Sequence, residues 1–157
     1  MTYLDLHGDD PACEYDEELA RDRELAALIM TVQHHLTAIE CLDASAKAIA
    51  DGDVAARCAA VEGAMDAVST LYMMLDRENG GQLADSLAQI YAFTMSRMAF
   101  INIENNSALA GSLVTILKPL GQAWYTIASQ AGEHSDAPLV EAAHTASRMQ
   151  LAVAGSK

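Results

Sequence analysis

The sequence is short of aromatic residues, proline and positive charge. Its 157 residues include two Phe, one Trp and three Pro, and the apolar content consists mainly of Ala, Leu, Ile, Met and Val. Few residues favour strands, whereas Ala is the strongest helix former. The composition predicts an all-α protein, and the length is typical of one domain.

Cysteine is also scarce, and Cys13, Cys41 and Cys58 lie among ordinary helical residues. An odd number cannot pair completely, so we interpret them as free thiols in a reducing compartment. The first residues lack the basic and apolar regions of a signal peptide. No apolar run approaches the roughly 18 residues expected of a membrane span. We therefore expect a cytoplasmic protein without membrane insertion.

Acidic residues greatly outnumber basic ones. Lys and Arg total 9 against 22 Asp and Glu, which gives a formal net charge of −13. Nucleic-acid binding relies on clustered basic side chains, and anionic lipid surfaces repel a negative protein. The charge balance therefore predicts neither nucleic acid nor membrane as a partner.

Apolar residues recur at helical spacing, interrupted by short polar breaks. The first predicted helix ends before Gly52, which suits a left-handed residue, and Asp53 suits the following N-cap. The second helix carries the most regular series, in steps of four and three: Val54, Cys58, Val61, Met65, Val68, Tyr72 and Leu75. Such a seam favours packing at a shallow angle against a neighbouring helix.

Two further long helices follow, one after the Asn-Gly-Gly break and one from Ser107. Because the breaks are short, consecutive helices should be antiparallel. The predicted fold is an antiparallel four-helix bundle with an extra short C-terminal helix. Its predicted parts are a flexible acidic arm at residues 1–16, the bundle at 17–130, and a loop with the C-terminal helix at 131–157.

Gly80 and Gly81 separate the second and third predicted helices. A chain that reverses direction within a few residues needs a left-handed residue, which Gly adopts at low cost. We expect that conformation at Gly80, with Gly81 allowing the backbones to pass closely. A phosphate-binding loop would need a different glycine spacing and a preceding strand, so we assign the pair to a structural turn.

A wider pattern surrounds these glycines, beginning with Leu-Asp-x-Glu-x-Gly-Gly-x-Leu-Ala. Its residues are Leu75, Asp76, Glu78, Gly80, Gly81, Leu83, Ala84, Leu87, Tyr91, Phe93, Arg97, Met98, Asn102, Asn105, Ala123 and Trp124. Over about residues 65–127 this pattern resembles the flagellin-specific export chaperones, the FliS family. The first helix lacks the family's usual opening elements. Pro119 also departs from the pattern, and we expect it to kink the fourth helix near Thr115.

The resemblance implies a cytoplasmic bundle that binds the C-terminal segment of unassembled flagellin. Such a chaperone prevents premature polymerisation and aids secretion, with the flagellar export gate as a further partner. From the residues themselves we expect neither catalytic activity nor a cofactor, because no nucleophile motif appears. A disordered client that folds into amphipathic helices on binding needs apolar grooves on the chaperone surface.

Apolar residues outside the main helical seams are the candidates for that groove. The predicted flagellin-binding residues are Leu71, Met74, Phe93, Phe100, Ile103, Val114, Leu117 and Tyr125. The alternative for each is burial against a neighbouring helix. The resemblance also implies an N-terminal arm over the groove, with Tyr3, Leu4 and Leu6 as its apolar residues. A disordered terminus is the alternative there.

Two other functions remain open from the residues. Glu141-x-x-His144 forms one of the two Glu-x-x-His pairs that a ferritin-like metal-binding bundle requires, without a second pair. His34 and His35 are adjacent, so they point about 100° apart on a helix and do not readily share a metal. We therefore predict no metal site and no catalytic residue. A structural bundle whose apolar stripes close a homo-oligomer is the other alternative.

Overall fold

The structure, a computed structural model, describes residues 11–133, and it is all-α over that range. Its four helices are α1 (Pro11–Asp51), α2 (Val54–Met73), α3 (Gly81–Glu104) and α4 (Ser107–Gly132). α1 packs closely against α2 and α4, while α3 lies against α2 and, less closely, against α4. Because the connections are short, neighbouring helices run antiparallel. The described part of the chain is the predicted helical bundle.

The first helix begins earlier than predicted. α1 starts at Pro11, which suits the first helical position because that residue's N–H has no intrahelical acceptor. Residues 11–16 are thus helical, contrary to the predicted flexible arm. All residues from Tyr15 to Glu24 are exposed, and burial begins at Leu25. The rest of the predicted arm and the predicted C-terminal helix lie outside the described residues.

Small residues let the helices pack closely around one main core. The largest side chains that are almost fully buried are Leu36, Ile39, Leu42, Leu71, Tyr91, Met98, Ile101, Leu113 and Leu117. On α2 the buried face consists of Val61, Ala64, Ala67, Val68 and Leu71. Val54 and Cys58 are exposed, so the predicted seam of α2 reaches the core only from Val61 onward.

α1 also passes a simple test for a membrane span. Tyr15–Asp51 is the one helix among residues 11–133 that is long and apolar enough to cross a membrane by length and composition. Its side chains Val32, Leu36 and Leu42 are buried inside the bundle. A central core helix passes the same test, and that is the place α1 occupies.

The predicted helix ends at Gly52 and Asp53 are confirmed. Gly52 has a φ of 71°, and the Asp53 side chain accepts a hydrogen bond from the backbone N–H of Ala56 at 2.9 Å. The α3–α4 connection uses two asparagines in the same roles. Asn105 is left-handed with a φ of 52°, and Asn106 caps α4 by accepting from the N–H of Leu109. The α1–α2 and α3–α4 connections therefore each have a left-handed residue followed by a side-chain cap.

Arg57 ties the beginning of α2 to the end of α3. Its Nε donates to Asn102 Oδ1 at 3.2 Å, and a second guanidinium nitrogen donates to Asn105 Oδ1. Both asparagines belong to the pattern that resembles the chaperone family. They hold the end of the bundle opposite the α2–α3 turn.

Pro119 lies inside α4, and the helix continues through it. Its missing N–H leaves the Thr115 carbonyl without its usual helical donor. Thr115 is exposed, so water can reach that carbonyl. The expected kink near Thr115 stays a prediction.

The turn between α2 and α3 is organised by the Asp76 carboxylate. Its Oδ1 accepts from the backbone N–H of Glu78 at 3.2 Å and of Asn79 at 3.0 Å, and its Oδ2 accepts from Asn79 Nδ2 at 2.9 Å. These bonds, above all that from the Asn79 side chain, lower the pKa of Asp76. The carboxylate therefore stays ionised while it shapes the turn.

The left-handed residue of this turn is Gly81, with a φ of 54°, so its predicted place at Gly80 is wrong. Gly80 has a φ of −77° and is the N-cap of α3. Glycine is required at this position because the structure leaves no space for a side chain. A Cβ there would overlap the Asp76 carbonyl oxygen and lie 2.6 Å from Ala84 Cβ. Both glycines are needed, for different physical reasons.

A buried hydrogen-bond chain joins α1 to α3 across the bundle. His35 Nδ1 lies 2.8 Å from the Thr31 carbonyl oxygen, which can only accept, so that nitrogen carries the proton. His35 Nε2 then accepts from the Tyr91 hydroxyl at 3.0 Å. Burial lowers the pKa of His35 to about 4 and raises that of Tyr91 to about 12. Both side chains are neutral at ordinary pH.

We expect Gly80→Ala to destabilise the fold by about 1–3 kcal/mol, the usual effect of adding atoms to a filled site. Gly111→Ala is the matched control in α4, because nothing lies within 4 Å of its Cβ position. That change should stabilise the helix by about 0.5–1 kcal/mol, since Ala loses less entropy on folding. Equilibrium urea unfolding measures the free energy of unfolding of both variants. Equal stability of Gly80→Ala and wild type would contradict the claim that a Cβ at position 80 has no space.

The buried histidine also predicts a pH dependence. The unfolded chain binds a proton at His35 near pH 6.5, whereas the folded chain does so only near pH 4. Neutral His35 therefore makes its full contribution to the free energy of unfolding above about pH 6.5. This contribution is lost as the pH drops towards 4. The difference between the pKa of His35 in the unfolded and the folded chain corresponds to a loss of about 3 kcal/mol in the free energy of unfolding.

His35→Gln should remove this part of the pH dependence, because an amide keeps a donor and an acceptor but does not titrate. His34→Gln is the control next to it in the sequence. Unfolding free energies measured between pH 7 and pH 4 test the prediction. The same pH profile for His35→Gln and wild type would show that His35 does not act in this way.

Candidate functional site

Charged side chains are distributed unevenly over the bundle. In α3 and α4 the only charged residues are Asp85, Arg97, Glu104 and Lys118, whereas α1 carries acidic and basic residues along its exposed side. Soluble surfaces usually contain about 25–35% charged residues. One half of the bundle is thus nearly uncharged on a chain whose formal net charge is −13. Such a face suits an apolar partner.

Exposed apolar side chains lie along α3 on this face. Phe93 is 53% exposed, Phe100 38% and Ile103 74%. The Arg97 guanidinium lies over the Phe100 ring, 5.1 Å from its centre. Phe93 and Phe100 are seven residues apart, so they lie on the same side of α3. We call Phe93, Phe100 and Ile103 the α3 stripe.

A groove separates α3 from α4 beside this stripe. It has a volume of about 380 Å³ and is lined by Ser86, Gln89, Ile90 and Phe93 of α3 and Ile116 of α4. We call it the α3/α4 groove. It exists because these two helices pack less closely than the other neighbouring pairs.

A second concavity, the end cavity, lies where α1, α3, α4 and the α2–α3 turn meet. Its volume is about 290 Å³. Its buried lining residues include Leu71, Leu87 and Tyr91, and the half-buried Trp124 also lines it. Leu28 is half-buried, while Met74, Leu83 and the acidic residues Glu24 and Asp76 are exposed, and we call these five lining residues the rim. Leu83 is 68% exposed, so this rim stands open to solvent.

Half of the residues that carry the family resemblance line the end cavity, at the opposite end of the bundle from Asn102 and Asn105. Those that line it are Leu75, Asp76, Gly80, Leu83, Ala84, Leu87, Tyr91 and Trp124. The sequence interpretation assigned the glycines only a turn and did not place this cavity among the candidate sites. The spacing of the pattern around the turn was the available indication, because the turn brings Leu75 and Leu83 to one end of the bundle.

The predicted groove residues divide into several groups. Leu71, Val114 and Leu117 are buried, so the alternative of burial holds for these three, although Leu71 also lines the end cavity. Val114 and Leu117 lie on the side of α4 that faces the core. Tyr125 is half-buried and packs on a small cluster with Val32 and Leu36 of α1, away from the groove.

The other predicted groove residues are exposed. Met74 lies on the rim of the end cavity, and Phe93, Phe100 and Ile103 form the α3 stripe. The predicted arm residues Tyr3, Leu4 and Leu6 lie outside the described residues. Their placement over a groove stays a prediction.

No group of three or more His, Cys, Asp or Glu within residues 11–133 could hold a metal ion. Glu141 and His144 lie outside this range. Cys41 is half-buried, and burial raises the pKa of its thiol, while Cys58 is exposed; both are free cysteines.

Comparison of the sequence with known proteins identifies one family. The family model for flagellar protein FliS matches residues 22–131. The flagellar secretion chaperone FliS of Salmonella typhimurium strain LT2 is 28% identical over 81 residues, which are 51% of this chain and 60% of that protein. The flagellar secretion chaperone FliS of Vibrio cholerae serotype O1 is 26% identical over 87 residues, 55% of this chain and 64% of that protein.

The chain thus matches less than two thirds of the length of either relative. The family model itself covers most of the described bundle, including both the α3/α4 groove and the end cavity. This chain therefore belongs to the FliS family of flagellar proteins.

Proposed function

We propose that this protein is a flagellar secretion chaperone that binds the C-terminal segment of unassembled flagellin. By covering that segment it prevents premature polymerisation and keeps the client ready for secretion, with the flagellar export gate as a further partner. Membership of the FliS family and the secretion-chaperone role of both relatives support this proposal. The observation that carries it is the nearly uncharged α3/α4 face with its exposed apolar stripe.

The energetics of such binding call for several apolar contacts. A disordered segment that folds on binding typically loses about 2–5 kcal/mol or more to ordering. Burying one large apolar side chain contributes about 1.5–3 kcal/mol, so one contact does not suffice. The α3 stripe and the end cavity together offer the several contacts that an amphipathic helical client needs.

The proposal requires no catalytic group and no cofactor. Affinity comes from the apolar area buried between two proteins, and release requires only that another partner takes the client. The client must be met before export, so the proposed place of action is the cytoplasm.

We expect Phe93→Asp and Phe100→Asp to weaken client binding by about tenfold or more, because each removes apolar area and places a carboxylate in the interface. Helix content and thermal stability should hardly change, since both side chains are exposed. Met30→Asp is the matched control, because Met30 is a similarly exposed residue of α1.

Isothermal titration with the C-terminal segment of flagellin from the same organism measures the effect. Wild type should bind one segment with a negative heat-capacity change and a gain of helix. Unchanged affinity in both Phe variants would argue against the α3 stripe as the client surface. If wild type is instead a stable homo-oligomer by light scattering and binds no segment, its apolar stripe serves self-association and the proposed function is wrong.

A further inference from the structure

We propose that the end cavity selects the client by two of its side chains that lie about one helical turn apart. One of them is apolar, and the other is Lys or Arg, on either side of it in the sequence. The apolar side chain enters the cavity, and the basic group reaches the carboxylates of Glu24 and Asp76 at its rim. This inference rests on the proposed function and names the chemistry of the segment that one part of the surface accepts.

The size of the cavity favours a side chain over a free ligand. Its volume of about 290 Å³ lies just below the roughly 300–1,000 Å³ that small-molecule pockets occupy. One face also opens to solvent past the exposed Leu83 side chain. A side chain projecting from a docked helix fits this shape.

The interior of the cavity offers no free polar group to its occupant. The Tyr91 hydroxyl already donates to His35 Nε2, and His35 Nδ1–H donates to the Thr31 carbonyl. Among residues 15–133, no buried side-chain nitrogen or oxygen lacks a hydrogen-bond partner. A polar occupant would lose its hydrogen bonds to water without replacement, at a cost of about 1–3 kcal/mol. The buried part of the client must therefore be apolar.

The rim carries negative charge that no lining residue neutralises. Glu24 lies on α1 and Asp76 in the α2–α3 turn, and none of the residues that line the cavity is basic. Arg77 follows Asp76 but is engaged elsewhere, with its guanidinium 3.8 Å from Asp85 and 5.8 Å from the centre of the Tyr72 ring. Asp76 is also held in place by its bonds to the turn. A basic side chain from a partner would complete this arrangement.

Charge also decides between possible occupants. A second copy of this chain carries the same formal charge of −13, so its approach is opposed by repulsion. A client segment with a basic residue is attracted by the same field. The competing occupant to be tested is the chain's own segment 134–157, because its sequence contains Arg148 with Leu151 three residues further on.

The test compares Glu24→Gln with Glu62→Gln, which removes the same charge from the exposed side of α2. Binding of the flagellin C-terminal segment is measured by calorimetry on the full chain. We expect Glu24→Gln to weaken binding about two- to fivefold, the range for a solvent-exposed ion pair, and Glu62→Gln to leave it unchanged. Added salt should reduce the difference.

A double-mutant cycle identifies the basic partner. Each Lys or Arg of the segment is changed to Gln in turn and titrated against wild type and Glu24→Gln. One of these changes should cause no further loss in the Glu24→Gln background. Glu24→Lys together with that client residue changed to Glu should restore binding.

Three outcomes would overturn the proposal, and they are distinguishable. If Glu24→Gln binds like Glu62→Gln while Phe93→Asp still binds more weakly than wild type, the selection by charge is wrong and the proposed function stands. If Glu24→Gln and Arg148→Gln both tighten binding, the chain's own C-terminal segment holds the rim carboxylates. If folded wild-type protein binds no flagellin segment, the proposed function fails and this inference fails with it.

Discussion

The hydrogen bond from the Tyr91 hydroxyl to His35 Nε2 fixes the rotation of α3 about its own axis. It joins two helices that lie diagonally across the bundle, and both ends are buried where water cannot replace them. Side chains two residues apart on a helix point in directions that differ by about 200°. With Tyr91 directed inward, Phe93 must therefore point outward beside α4. The same bond thus completes the floor of the end cavity and presents the α3 stripe.

The distribution of charge reconciles solubility with an apolar binding surface. Contiguous exposed apolar area promotes aggregation unless a partner covers it. In this chain, a large net negative charge opposes self-association, while α3 and α4 remain almost free of charge. The apolar groups that we assign to the proposed client and most of the charged groups therefore occupy different helices. One exception is Arg97, which lies over the Phe100 ring. The others are Glu24 and Asp76 of the end cavity, to which we assign the proposed preference for a basic partner.

Much of the fold was predictable because its determinants are local. Helical periodicity and the turn residues located all four helices, and Gly52 and Asp53 took their expected roles. The start at Pro11 was missed because proline can begin a helix as well as interrupt one. Periodicity shows that a residue lies on an apolar face but not which neighbour covers that face. Leu117 and Phe93 therefore looked alike in the sequence, although one is buried and the other exposed. The end cavity was not visible at all, since it is assembled from separate elements.

The central claim is that α3, α4 and the end cavity form one client surface. Backbone amide NMR spectra of this chain, recorded with and without the C-terminal segment of its own organism's flagellin, test it most directly. We predict chemical-shift changes concentrated on α3, on α4 and on the part of α1 around Glu24 and Leu28, with little change on the exposed side of α2. Changes centred on the exposed side of α2, or an unchanged spectrum at saturating segment, would contradict the account.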